Sequence, residues 1–232
     1  MLLRVNEDIA GEIIRADHRG ASPEEMKRLY IRRNHFDLEL DAPIYRIVPR
    51  QYFVDDLRDQ CLSHTKIDKS NWGDSSENPL LNRAFRDSAT DGILTLNGVV
   101  DSVYGSCWSA TPLDSPYEWN VFSHGRPSVR LQSTPGKLLN AVMSPGNPYY
   151  MLQHVIGKMK YLSEPDIEAY FSDPDWQKHL DSLGIGISAS FLRLNANLST
   201  ENEVRLLYEH LKHERTPNGV RFVGRFAKVP FA

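Results

Sequence analysis

Strand-type runs are scattered through this chain between short helical stretches, and no regular strand–helix–strand alternation links them. Ile44-Tyr45-Arg46-Ile47-Val48, Gly92 to Leu96, Val99 to Trp108, Ser128 to Thr134, Val155 to Tyr161, Glu203 to Tyr208 and the closing VRFVGRFAKV have strand composition. A doubly wound parallel sheet needs a crossover helix between successive strands. Without that alternation the pattern predicts an α+β fold, with mixed, largely antiparallel sheets flanked by short helices. Asn97-Gly98 between two of these runs predicts a tight hairpin. The polar stretch Ser63 to Asn78 reads as loop, and Pro79 to Asp87 as one or two helical turns.

Helix signals fill the gaps. Ser22-Pro23-Glu24-Glu25 combines a cap, a first-turn proline and a capping-box glutamate ahead of MKRLYIRRNHF. Residues 1–41 therefore read as a polar, mostly helical N-terminal extension, and 42–232 as a single α+β domain of catalytic type. Lys27, Arg28, Arg32 and Arg33 on that first helix are either a solvated face or an anion-binding patch. Tyr52, Phe53 and Leu57 point one way on a short amphipathic helix. Asp114 to Phe122 is helix-like, Pro135 starts another helix, and Glu164 to Leu183 is helical in two pieces broken at Asp173-Pro174. Pro217-Asn218-Gly219 is a turn.

Composition narrows the function classes. With 232 residues, 41% hydrophobic and 25% charged, the chain can bury a core without disulfides or metal. No run approaches the roughly 18 apolar residues of a membrane helix, and MLLRVNEDIAGEII carries acids where a signal peptide is apolar. Two cysteines, Cys61 and Cys107, build neither a disulfide scaffold nor a zinc ribbon. These features predict a cytoplasmic protein with no membrane partner. A net charge of -3 advertises no global nucleic-acid surface. The phosphate-loop, dinucleotide-fold, zinc-protease and serine-elbow motifs are all missing. His210 and His213 read as an exposed pair rather than metal ligands. Cys107 and His124 are a conceivable nucleophile–base couple, but the apolar, aromatic strand around Cys107 favours a small buried residue.

Four pieces stand out together: Tyr45-Arg46; Trp72-Gly73-Asp74 followed by Glu77-Asn78-Pro79; Ser106-Cys107-Trp108-Ser109, then Glu118-Trp119 and Ser133-Thr134; and Glu201-Asn202-Glu203-Val204-Arg205. In this order they resemble a bacterial family, domain of unknown function 2971, from about Ile44 to Leu207. The loop lacks the family's Pro-Phe after the tryptophan, and the helix has Glu118-Trp119 and Phe122 for Met-Trp and Tyr. Leu198 stands where phenylalanine is usual, and a single Arg193 replaces the family's basic pair. An early strand arginine, a middle-strand Ser-Thr and a late Glu-x-Glu also resemble, at the level of pattern, the arginine–serine–glutamate ADP-ribosyltransferases.

That second resemblance implies an ADP-ribosyltransferase-like core that takes NAD as substrate, releases nicotinamide and passes ADP-ribose to a macromolecular acceptor, protein or nucleic acid. A toxin or defence effector works this way. Glu203 would stabilise the oxocarbenium-like ribose, and Glu201, two residues earlier and so on the same strand face, would steer or deprotonate the acceptor. Arg46 would hold the dinucleotide phosphates. Ser133 and Thr134 would position the cofactor, beside the helix that starts at Pro135, and Trp72 or Trp119 would stack on a ring. Plainer readings compete. Ser133-Thr134-Pro135 is an ordinary helix start, and Glu201, Glu203 and Arg205 fit the wet face of an edge strand. Arg46 is equally an exposed or structural ion-pairing residue. Asp74 and Glu77 with Glu201 and Glu203 would suit a divalent cation in a nucleic-acid-processing protein. A nucleotide- or partner-binding module without turnover is the third reading.

Overall fold

The structure is a computed structural model and describes residues 7–72, 77–86, 90–172, 184–211 and 219–232. Its helices are α1 (Glu7–His18), α2 (Pro23–Arg33), α3 (Arg50–Arg58), α4 (Lys69–Trp72), α5 (Asn97–Val100), α6 (Pro116–Ser123), α7 (Pro135–Val142), α8 (Tyr150–Gln153), α9 (Glu164–Ser172) and α10 (Ile185–Phe191). The strands are β1 (His35–Phe36), β2 (Ile44–Pro49), β3 (Cys61–Lys66), β4 (Ala84–Arg86), β5 (Ile93–Thr95), β6 (Val103–Ser109), β7 (Ser128–Ser133), β8 (His154–Lys158), β9 (Lys160–Leu162), β10 (Arg193–Asn195), β11 (Glu203–Glu209), β12 (Arg221–Val223) and β13 (Phe226–Pro230). The fold is mixed α+β around a mostly antiparallel nine-stranded sheet. No helix among the described residues is long and apolar enough to cross a membrane.

The main path runs β1-β8-β11-β6-β3-β13-β12, with β2 and β7 branching from β6. Strand β11 lies at its centre, antiparallel to β6 and β8, with Glu203 to Tyr208 all buried. Residues with even numbers, Val204, Leu206 and Tyr208, pack with Ile44, Trp108, Leu139, Ile156 and Val229 on one face. Leu207 packs with Phe36, Ile67, Val103 and Phe191 on the other. The period-2 pattern thus places apolar groups in two cores at once, as a strand covered on both faces requires. The N-terminal segment is woven into this body. Ile31 and Phe36 are core residues, and β1 pairs in parallel with β8.

Several elements differ from sequence expectation. Ser63 to Asn78 is not all loop: β3 continues to Lys66 and α4 follows. Asn97-Gly98 does not close a hairpin, because it opens α5. The strands on either side go to different sheets, β5 to a ribbon with β4 and β6 to the main sheet. Pro79 to Arg86 holds turns and strand β4, not a helix. In each case packing outweighs local turn chemistry: Leu80, Phe85, Leu96 and Val100 all enter the first core cluster. The second half of the Glu164 to Leu183 stretch and Pro217-Asn218 lie outside the described residues.

Two histidines are sealed inside. His64 is 0% and His154 3% exposed, and Tyr208 stacks on the His154 ring at 5.1 Å and sits 6.1 Å from His64. Burial holds His64 well below its ordinary pKa, and pushes His154 down to about 3. Each is neutral when folded but binds a proton in the unfolded chain below about pH 6.5, so stability is lost as pH falls from there towards 3. Glu209 acts oppositely. Burial pushes it up to about 7, so the folded state holds its proton between 4.5 and 7 and it offsets one histidine across most of that window. Stability is therefore expected to fall most steeply below about pH 4.5. Urea unfolding of His154→Phe should flatten the slope by about one proton, roughly 1.4 kcal/mol per pH unit. An unchanged slope would show that His154 titrates normally.

Candidate functional site

A fork in the sheet makes the main cavity. On the edge of β6 away from β11, β3 pairs through Thr65↔Gly105 and Lys66↔Tyr104, while β2 pairs only through Tyr45↔Ser109. Between them Ser106, Cys107 and Trp108 have strand partners on the β11 side only. Strands β2 and β3 splay apart there, and α3, the helix that joins them, walls the gap. The C-terminal hairpin β12–β13, paired to β3, supplies another wall. The resulting cleft measures about 760 Å³, in the size range of small-molecule sites. Its lining combines aromatic and aliphatic side chains with ten charged ones of both signs.

Beneath the cleft sits a buried charge cluster on β11. Arg205 is 1% exposed, and its guanidinium grips the Glu203 carboxylate by two bonds, Nε to Oε1 at 2.9 Å and Nη2 to Oε2 at 3.0 Å. Positions 203 and 205 share a strand face, which makes this fork possible. Nη1 donates to the Phe191 carbonyl at 3.1 Å and lies 2.9 Å from Glu77 Oε2. The guanidinium also lies 4.6 Å from the Trp72 ring centroid. The two carboxylates hold Arg205 well above the usual arginine range despite its burial. Gly105 completes the arrangement. A Cβ there would stand 3.3 Å from the Trp72 ring and 3.0 Å from Ile67 Cδ1, so a larger residue would have to push the indole or Ile67 away from β6 by a few tenths of an ångström.

Four of the seven residues singled out from sequence, Arg46, Trp72, Glu201 and Glu203, line the cleft. Arg46 is half-buried, and desolvation lowers its pKa while Cys107 and Asp56 pull the other way. Its guanidinium is 6.0 Å from the Trp108 ring centroid. No carboxylate among the described residues pairs with it, so it is neither an exposed strand residue nor one half of a structural ion pair. Glu201 is exposed at the end of a 3-10 turn, Ala196–Glu201, with left-handed Asn202 before β11, so it does not share a strand face with Glu203, and its side chain has no partner among the described residues. Partial desolvation by the cleft wall and the neighbouring Glu203 raise its pKa, with Arg205 pulling the other way. Glu203 is 4% exposed on a central strand, not on the wet face of an edge strand.

The other three lie apart from the cleft lining. Ser133 ends β7 opposite Ile44. Thr134 caps α7, its hydroxyl accepting from the Lys137 amide at 3.2 Å, which is the plain helix-start reading. Trp119 is half-buried on α6. Asp74 is outside the described residues. Among those described, no group of three or more histidine, cysteine or acidic side chains is placed to hold a metal ion. His213 is also outside them, while His210 Nδ1 lies 3.2 Å from the Tyr208 hydroxyl. Cys107 does line the cleft, as does His124. However, burial and the Glu203 carboxylate push the Cys107 thiol well up, so it stays protonated and is a poor nucleophile.

Sequence reasoning passed over Arg205 as a site residue, although its opposite charge two positions from Glu203 was a readable signal. It also missed Arg126 and Arg225 at the mouth of the cleft, which nothing local distinguishes from solvated cations. No family model, curated protein or solved structure matches the chain.

Because two buried carboxylates converge on Arg205, its removal leaves uncompensated charge in the core. Arg205→Met is expected to cost about 3–5 kcal/mol of unfolding free energy in urea. The double variant Arg205→Met/Glu203→Gln should recover part of that loss. A cost under about 1 kcal/mol would mean that the cluster is solvated.

Proposed function

We propose that the cleft between β2 and β3 binds an anionic, ring-bearing ligand of the nucleotide class. In the reading implied by the ADP-ribosyltransferase resemblance the ligand is NAD, cleaved at its nicotinamide–ribose bond, with ADP-ribose passed to a protein or nucleic-acid acceptor. Membership of the domain of unknown function 2971 family and an ADP-ribosyltransferase-like core are parts of the same proposal. What carries it is Arg46, a half-buried guanidinium on the wall of an aromatic cleft with no ion-pair partner among the described residues. A desolvated, unpaired cation is costly by itself, and a phosphate restores the missing partner through charge-assisted, two-point hydrogen bonds. Trp72 and Trp108 both line the wall that a base would meet.

The carboxylates on the same cleft supply the chemistry. As the ribose C1′–N bond breaks, its electron pair leaves on nicotinamide and positive charge builds on the sugar, which Glu201 and Glu203 stabilise. The acceptor's lone pair forms the new bond to C1′, and its proton passes to Glu201, whose raised pKa suits a base. One observation favours a second reading, binding without turnover: both Glu203 oxygens are already engaged by Arg205.

An NAD thermal shift tests the binding step. At a hundredfold excess over Kd the ligand stabilises by about 2.7 kcal/mol, and Arg46→Met should abolish the shift without lowering the stability of the free protein. Nicotinamide release should then be lost in Glu201→Gln and Glu203→Gln. A shift without release in the wild type selects the binding module, and no shift at all overturns the NAD reading.

A further inference from the structure

The mouth of the cleft carries its own arrangement of cations and rings. Arg126 follows α6 and is exposed, and its Nη1 donates to the Tyr52 hydroxyl at 3.4 Å. The Tyr52 ring meets Phe226 edge-on, with centroids 5.7 Å apart at 60°. The Arg225 guanidinium lies 5.2 Å from the Phe226 ring centroid. One guanidinium thus touches each member of an aromatic pair, brought together from the loop after α6, from α3 and from the C-terminal hairpin. All four side chains line the cleft. Tyr52 is 38% exposed, so its ring is open to a ligand.

Charge pairing singles these arginines out. The neighbouring acids Asp55, Asp56 and Asp59 are already matched by Arg58, Lys228 and Arg221. Neither Arg126 nor Arg225 has a carboxylate partner among the described residues. Two uncompensated cations beside accessible ring surface suit a planar base that carries a phosphate, because stacking and phosphate contact are then satisfied by one ligand unit.

We propose that this mouth is an outer nucleotide subsite, with the Tyr52–Phe226 pair receiving a base and Arg126 and Arg225 holding the phosphate attached to it. The proposal rests on reading the cleft as a nucleotide site with Arg46 as its inner anion position. The same chemistry is presented by the adenylate half of a free dinucleotide and by one nucleotide of a single strand.

Equilibrium binding of AMP, ADP-ribose, nicotinamide mononucleotide and a short oligothymidylate separates these sources. Arg126→Ala/Arg225→Ala is expected to weaken AMP and ADP-ribose by about tenfold to a hundredfold, leaving nicotinamide mononucleotide within about twofold. A strand as the natural occupant shows as an oligothymidylate that binds more tightly than AMP, with a salt dependence that shrinks in the double variant. Both positions are exposed, so the unliganded melting temperature should not move, which excludes misfolding as the cause. Equal affinity of wild type and variant for all four ligands, or no binding of any, overturns the subsite. If nicotinamide mononucleotide fails to bind and NAD is not cleaved, but AMP or the oligonucleotide still depends on both arginines, the NAD reading fails and the outer subsite stands.

Discussion

Arg205 ties the interior of this protein to its cleft. One guanidinium on the central strand engages Glu203, Glu77, the Phe191 carbonyl and the Trp72 ring. Those four partners come from β11 itself, the segment after α4, α10 and α4. Hydrophobic burial alone leaves such segments free to slide, since it is non-directional. A fully engaged fork does not, because each lost bond strands a charge in a medium where water cannot replace it. The cluster therefore sets where Trp72 lies and which way the Glu203 carboxylate is presented.

The same region explains why a cleft exists. A continuous sheet would pair every residue of β6 on both edges. Here β2 and β3 meet it at opposite ends, and α3 bridges them across the gap. The fork leaves the middle of β6 without a strand partner on one edge and lets side chains from both strands reach a common space. Electrostatics then divides the lining. Most acids are matched by nearby lysine or arginine, while Arg46, Arg126 and Arg225 have no carboxylate partner among the described residues. Unmatched cations beside aromatic surface are a poor arrangement for stability alone, and they give the cleft a preference for anionic, planar ligands.

Legibility from sequence followed the range of the forces involved. The Ser22 cap, the start of α7 at Pro135 and the strand β11 depend on residues within a few positions of one another, and all were readable or nearly so. The Asn97-Gly98 turn misled, because a favourable hairpin dipeptide was outweighed by packing Leu96 and Val100 into the core. Alternation of charged and apolar residues in β11 suggested an edge strand. The strand is central because Glu203 and Arg205 neutralise each other, which makes charged side chains tolerable in the interior.

The amino-acid sequence by itself determined the mixture of short helices and strands, their local caps and the two-faced pattern of the central strand, since these arise from backbone preference and neighbouring side chains. It also carried the presence of an early arginine and late glutamates. Only the tertiary structure decided that Arg46, Trp72, Glu201 and Glu203 share a cleft while Ser133, Thr134 and Trp119 do not. That distinction depends on strand order, on the point where β2 and β3 part, and on which carboxylate neutralises which cation. These are contacts between residues up to more than a hundred positions apart, and no local pattern encodes them.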